Sequence, residues 1–139
     1  MSAELERFVD AQDGVYDRAL GEIRAGDKTS HWMWFVFPQI DGLGHSAMVR
    51  MYAIASLAEA RAYLAHPVLG ARLRECVEAI PDGSPDAMFG SVDAMKLRSS
   101  LTLFAEAGGA DEPFAPALAQ LFGSADEATL RLIGRGMQA

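Results

Sequence analysis

The chain has 139 residues, half of them hydrophobic and 22% charged, which fits one globular domain with a core of its own. The formal net charge is −7 and no run of Lys and Arg occurs, so the sequence argues against binding to a nucleic-acid backbone. A single cysteine, Cys76, excludes an intrachain disulfide and a secreted fold that depends on such bridges.

The N-terminal part of the chain predicts helix. Apolar residues recur at helical spacing over residues 5–23 and place one apolar stripe on a charged surface. Gly14 breaks or bends this helix, because glycine costs roughly 1 kcal/mol in a helix interior, and Gly26 ends it. Residues 1–10 lack the basic and apolar regions of a signal peptide, so we expect a cytoplasmic protein.

An aromatic segment, residues 31–37, follows this first helical region. Its aromatic content favours a strand, whereas Ser30 as an N-cap and the helical neighbours favour a short buried helix, which we predict. Pro38 ends the segment in either case. The apolar run of residues 32–37 is far too short to span a bilayer, so we expect no membrane association.

Start and stop residues predict the remaining helices, and no segment alternates like a strand. Gly123 is predicted to end the second-to-last helix. The last helix is expected to run through about Ile133. The sequence therefore predicts an all-α fold, a single compact multi-helix domain over residues 1–139 built around the buried aromatic helix. The expected start signals are Ser46, the capping box Ser56/Glu59, Pro67, Ser84 with Pro85, Ser91, Pro113 and the capping box Ser124/Glu127.

The aromatic segment is the first candidate site. Trp32, Trp34 and their neighbours form either a pocket wall that stacks a flat ligand or a stripe that fills the core, and core is the commoner use. Gln39 follows Pro38 and is a candidate polar contact. His31 is a weak candidate for general acid–base catalysis, since its unperturbed pKa lies near neutrality.

The loop of residues 41–46 is the second candidate. His45 and Ser46 follow two glycines at a predicted helix N-terminus, where backbone N–H groups favour an anion. The alternative is a simple serine N-cap, which is the more common use of such a residue. His45 is the other weak catalytic candidate, although the G-x-S-x-G signature of hydrolases and the P-loop pattern are both absent.

A third cluster lies on the helix predicted after Ser91. Lys96 pairs with Asp93 three residues away at the surface, or it points with Ser99 into the same pocket as His45. Serine is a poor residue for the middle of a helix, which makes Ser99 of interest. The three histidines lack metal-ligand spacing, so the sequence predicts no metal site and no cofactor.

Several stretches together resemble a family of short bacterial proteins, domain-of-unknown-function family 1810. The signature is the run of residues 30–39, SHWMWFVFPQ, and matching stretches occur at residues 7–16, 42–54 and 89–104. The resemblance implies an all-α fold and no known activity. A calpastatin-like label is sometimes attached to the family, but those inhibitor repeats are disordered, whereas this composition predicts a packed core.

Two functional hypotheses follow. In the first, the protein binds a small, anionic ligand in a pocket lined by the SHWMWFVFPQ and GLGHS segments, and the sequence does not decide whether a reaction is catalysed there. In the second, the chain is a protein–protein interaction module or a homo-oligomer without catalytic activity, whose aromatic and methionine surface docks a partner.

Overall fold

The computed structural model describes the backbone of residues 3–138 and the side chains of residues 4–134. This part of the chain contains helices and a single isolated β-bridge, between Ile40 and Ile54, which confirms the predicted all-α class. A short 3-10 turn, Ala3–Leu5, precedes the first helix. The helices are α1 (Glu6–Gln12), α2 (Tyr16–Ala25), α3 (Met33–Val36), α4 (Ala47–Met51), α5 (Leu57–Ala65), α6 (Leu69–Ala79), α7 (Pro85–Phe89), α8 (Ser91–Gly108), α9 (Phe114–Phe122) and α10 (Glu127–Gln138).

Glycines divide the first helical region as the sequence predicts. Gly14 has φ +74°, a left-handed conformation that glycine adopts without steric cost, and it separates α1 from α2. Gly26 has φ +65° and ends α2, with its N–H donating to carbonyl groups of the last turn. The chain therefore turns sharply before the aromatic segment.

The aromatic segment contains less helix than predicted. Only Met33–Val36 forms a helical turn, and Trp32 rather than Ser30 precedes it, without a side-chain cap. The prediction of Ser30 as an N-cap is wrong, because the Ser30 hydroxyl donates instead to the carboxylate of Glu22 at 2.7 Å. Most of the segment is nevertheless buried, and Trp32 and Phe37 are completely inaccessible to solvent.

The longest helix, α8, is the element against which most of the core packs. It contacts α3, α5, α7, α9 and α10, and eight of its residues, from Ala94 to Phe104, are buried. Its beginning lies next to the aromatic segment, where Phe89 packs against the rings of Trp32 and Phe37. The start of α8 and the buried aromatic segment thus border the same region of the molecule.

Several predicted helix starts are confirmed, and two are not. Ser46, Ser56 and Ser84 each accept a hydrogen bond from the N–H group three residues later. Ser91 is wrong as an N-cap, because Gly90 occupies that position and Ser91 is already helical.

The second predicted capping box is also wrong. Asp126, not Ser124, accepts the N–H of Thr129 at 3.0 Å, while the Ser124 hydroxyl accepts from Arg98 at 2.6 Å. Helix α10 continues beyond Ile133, where the sequence placed its end, to Gln138.

Candidate functional site

A cleft of about 370 Å³ lies between the loop before α3 and the first turn of α8. We call it the α8 cleft. Trp34 is the half-buried aromatic residue in its lining, and Gly90 forms the start of α8 at its edge. The charged and titratable side chains that line it are Lys28, His31, Asp93 and Lys96.

Asp93 joins two lysines in this cleft. Its Oδ2 lies 2.8 Å from Lys28 Nζ, and its Oδ1 lies 3.6 Å from Lys96 Nζ. The lysine side chains differ in exposure, with 6% of Lys28 and 22% of Lys96 accessible to solvent. One carboxylate therefore offsets one of two positive charges, and the cluster carries a net charge of +1.

Lys28 is held on all sides by the protein. Besides its ion pair with Asp93, its ammonium donates to the carbonyl of Ser30 and lies 4.9 Å from the centroid of the Trp32 ring. Its backbone N–H donates to Met88 at 2.9 Å, which ties the loop to α7. A buried ammonium is stable only with such partners. The contacts of Lys28 therefore hold Asp93 against the loop that precedes α3.

Lys96 is less constrained. Its ammonium lies 5.2 Å from the centroid of the Trp34 ring, a cation–π distance. The separation of 3.6 Å from Asp93 exceeds hydrogen-bonding distance, and the described residues offer the Lys96 ammonium no hydrogen-bond acceptor. Lys96 is therefore the lysine of the cleft whose ammonium is bound less closely by the protein.

Glu22 organises the loop that carries Lys28. Its Oε1 accepts from the backbone N–H groups of Thr29 and Ser30, at 2.9 and 3.0 Å, and from Trp32 Nε1 at 2.9 Å. Partial burial alone raises the pKa of this carboxyl group, but hydrogen bonds from the Ser30 hydroxyl and the other donors together lower the pKa to about 2. Glu22 is thus ionised at neutral pH and binds one side of the loop to α2.

The N-terminus of α8 adds a weak positive field at the cleft. Gly90 is the N-cap, with φ +83°, and it has no side-chain oxygen to accept the first helical N–H groups. Since α8 runs for 18 residues, the positive end of its dipole lies beside the lysines.

The cleft collects some of the sequence-predicted site residues. Trp34, Lys96 and His31 line it, and His31 is exposed. Trp32 is fully buried behind it, where its indole N–H donates to Glu22. The cleft therefore contains part of the SHWMWFVFPQ segment and Lys96.

The other predicted residues are not among those that line the α8 cleft. Ser99 is buried, and its hydroxyl lies 3.2 Å from Asp126 Oδ2, where it links α8 to the start of α10. His45 and Ser46 are exposed, and the Ser46 hydroxyl caps α4 by accepting from Val49 N–H at 3.2 Å. Gln39 is half-buried, and its backbone carbonyl accepts the Ile54 N–H at 2.8 Å.

Comparison with known proteins assigns the chain to a family. A family model described as "Protein of unknown function (DUF1810)" matches residues 2–133. The chain belongs to the DUF1810 family. All residues of the α8 cleft fall within the matched range.

A solved structure shares both the fold and much of the sequence of this DUF1810 protein. The crystal structure of the conserved hypothetical protein Rv1873 from Mycobacterium tuberculosis, at 1.38 Å, superimposes with a TM-score of 0.91. The two sequences are 47% identical over 94% of this chain and 96% of that chain. No curated protein matches the chain significantly.

Two residues that build the α8 cleft, Lys28 and Glu22, were not predicted from the sequence. The composition did contain a signal, since Lys28 and Lys96 are the two lysines among 12 basic residues, and both pair with Asp93. No motif connects positions so far apart along the chain. Glu22 lies in a helix whose surface is charged, so nothing in the pattern separates it from its neighbours.

Two further features of the described residues bear on ligands and location. Across residues 3–138, no three His, Cys, Asp or Glu side chains gather closely enough to hold a metal ion. In the same part of the chain, no helix combines the length and the apolar character needed to cross a membrane.

Proposed function

We propose that this DUF1810 protein binds a small anionic ligand in the α8 cleft. Lys96 contacts the negative charge, and Trp34 provides a flat wall for the body of the ligand. The observation that carries the proposal is the state of Lys96, whose ammonium lies over the Trp34 ring without a hydrogen-bond acceptor among the described residues. An anion supplies an acceptor at hydrogen-bonding distance, closer than the Asp93 carboxylate at 3.6 Å.

The surroundings of Lys96 support an anion over a cation or a neutral molecule. The whole chain carries −7, yet the charged groups of the cleft sum to +1, and the N-terminus of α8 adds to the positive potential. The volume of about 370 Å³ lies in the range of ligand pockets, about 300–1,000 Å³. His31 lines the same cleft and is the residue placed to exchange a proton with a bound ligand.

The test is a thermal-shift screen of the purified protein against nucleotides, sugar phosphates and small carboxylic acids. Wild type is compared with Lys96→Gln and with the control Arg50→Gln. Arg50 is exposed on α4, and its side chain makes no hydrogen bond or ion pair with the described residues, so this control removes the same charge away from the cleft. A ligand at 100 times its Kd stabilises the folded state by about 2.7 kcal/mol.

We expect at least one anion to raise the melting temperature of wild type and Arg50→Gln but not that of Lys96→Gln. A shift that persists in Lys96→Gln places the ligand elsewhere and refutes the proposal. An absence of any shift also refutes it and favours the interaction module, which is then tested by measuring the mass of the protein in solution at high concentration.

A further inference from the structure

We infer that the ligand of the α8 cleft is an amphipathic monoanion, a single carboxylate on a flat apolar body, rather than a polyphosphate. This inference rests on the proposed function and specifies its ligand class. Two observations carry it, namely the charge count of the cleft and the exposed apolar side chains of Val92, which lines it, and Met95, which follows on α8.

The charge count favours one negative charge. Lys28 is paired with Asp93 at 2.8 Å and only 6% of its side chain is accessible to solvent, so it is less available to a ligand than Lys96. Lys96 remains as one accessible ammonium, 3.6 Å from a carboxylate of the protein itself. A ligand with two or more negative charges therefore brings one of them close to Asp93, whose repulsion disfavours it.

The rim of the cleft favours an apolar body. Val92 lines the cleft and is 66% exposed, and Met95 is 71% exposed one helical turn further along the same side of α8. These two have the highest exposure among the large hydrophobic side chains of the described residues. Single exposed apolar residues are ordinary, but Val92 in the lining of the cleft and Met95 three residues further along place two exposed apolar side chains on the helix that carries Lys96.

Together these features match the two ends of one molecule. The carboxylate accepts from the Lys96 ammonium, and the flat body lies against Trp34 and covers Val92 and Met95. Aromatic acids have this shape and charge, whereas nucleotides and sugar phosphates carry more charge and more hydroxyl groups than this border can satisfy.

The test compares Kd values by isothermal titration for indole-3-acetate, its neutral amide, adenosine monophosphate and pyrophosphate. We expect wild type to bind indole-3-acetate at least about tenfold more tightly than the other three, since one unpaired or repelled charge is worth about a factor of ten near a protein surface. Val92→Thr and Met95→Gln are expected to weaken indole-3-acetate several-fold, whereas the control Met51→Gln, 58% exposed on α4, leaves it unchanged.

Asp93→Asn gives an opposite expectation. Removing this carboxylate is expected to improve pyrophosphate and adenosine monophosphate binding by about tenfold, because their second charge no longer meets a like charge. Circular dichroism melting checks that the variant is folded.

The outcomes separate this inference from the proposed function. If pyrophosphate or adenosine monophosphate binds wild type more tightly than indole-3-acetate, and Lys96→Gln abolishes that binding, the ligand class is wrong while the anion site stands. Unchanged indole-3-acetate affinity in Val92→Thr and Met95→Gln also overturns the class. If none of the four probes binds, this inference is refuted, and the wider anion screen decides the proposed function.

Discussion

Replacing Glu22 is the most direct way to test how the cleft is built. The carboxylate accepts three N–H hydrogen bonds at Oε1 and the Ser30 hydroxyl at Oε2, all from residues 29–32. Glu22→Gln retains the shape of the side chain and removes its charge. Glu22→Ala removes every acceptor and leaves the buried indole N–H of Trp32 without a partner.

The magnitude follows from the pKa of Glu22. A pKa lowered from 4.5 to about 2 corresponds to about 3 kcal/mol of stabilisation of the charged form in the folded protein. Because the side chain keeps some contact with solvent, we expect about 2 kcal/mol for Glu22→Gln. For Glu22→Ala we expect about 3–4 kcal/mol, since an unpaired buried donor costs about 1–3 kcal/mol more than a paired one.

The pH dependence distinguishes this role from simple packing. The pKa is lower in the folded state, so the stabilisation is fully present above pH 4.5 and is lost as the pH falls from 4.5 through 2. Urea unfolding, monitored by tryptophan fluorescence, measures the free energy of unfolding at each pH. We expect the stability gap between wild type and Glu22→Gln to fall to less than half its neutral value at pH 3.

A matched control comes from Glu106, which is exposed on α8 and makes no hydrogen bond or ion pair with the described residues. Glu106→Gln is expected to change the free energy of unfolding by less than about 0.5 kcal/mol at either pH. If wild type and Glu22→Gln differ in free energy of unfolding by the same amount at pH 7 and pH 3, the charge of Glu22 does not stabilise the loop and the assignment is refuted.

Two other predictions concern glycines within helices and the buried thiol. A Cβ at Gly70 would overlap the carbonyl oxygen of Leu64, so we expect Gly70→Ala to lower the free energy of unfolding by more than about 2 kcal/mol. A Cβ at Gly21 has open space, so we expect Gly21→Ala to raise it by up to about 1 kcal/mol. Thermal melts measure both, and equal effects of the two substitutions would contradict the packing. Burial raises the pKa of the Cys76 thiol to about 12, so at pH 8 a thiol reagent modifies native Cys76 only as fast as the protein unfolds, and rapid labelling would show the thiol to be accessible.

The fold was predictable because its helix boundaries are local. Gly26 and Gly123 end their helices with positive φ angles, and Gly14 lies with positive φ between α1 and α2. The capping errors at Ser30 and Ser124 arose where the predicted cap is engaged by a distant residue instead. Near the last helix, Ser124 is engaged by Arg98 from α8, so Asp126 caps the helix, and that choice depends on a contact between distant parts of the chain.

The candidate site was only partly predictable for the same reason. Trp34 and Lys96 were identified because each lies in a conspicuous local pattern. Their relation to Lys28 depends on the packing of the loop before α3 against α8, with the two partners of the Lys28–Asp93 ion pair 65 positions apart. Conversely, the prediction that His45 and Lys96 share a pocket rested on residue type alone. In the structure His45 lies in the loop before α4 and does not line the α8 cleft.

The isolated bridge between Ile40 and Ile54 has a consequence for engineering. Ile54 donates its N–H to Gln39 and accepts the N–H of Asp41, both at 2.8 Å, so the two ends of residues 41–53 are held together. Within them, α4 buries none of its side chains. Lengthening an already closed loop costs only about 0.6 kcal/mol per doubling, so a fluorescent label or an affinity sequence inserted in α4 is expected to leave the core and the α8 cleft intact.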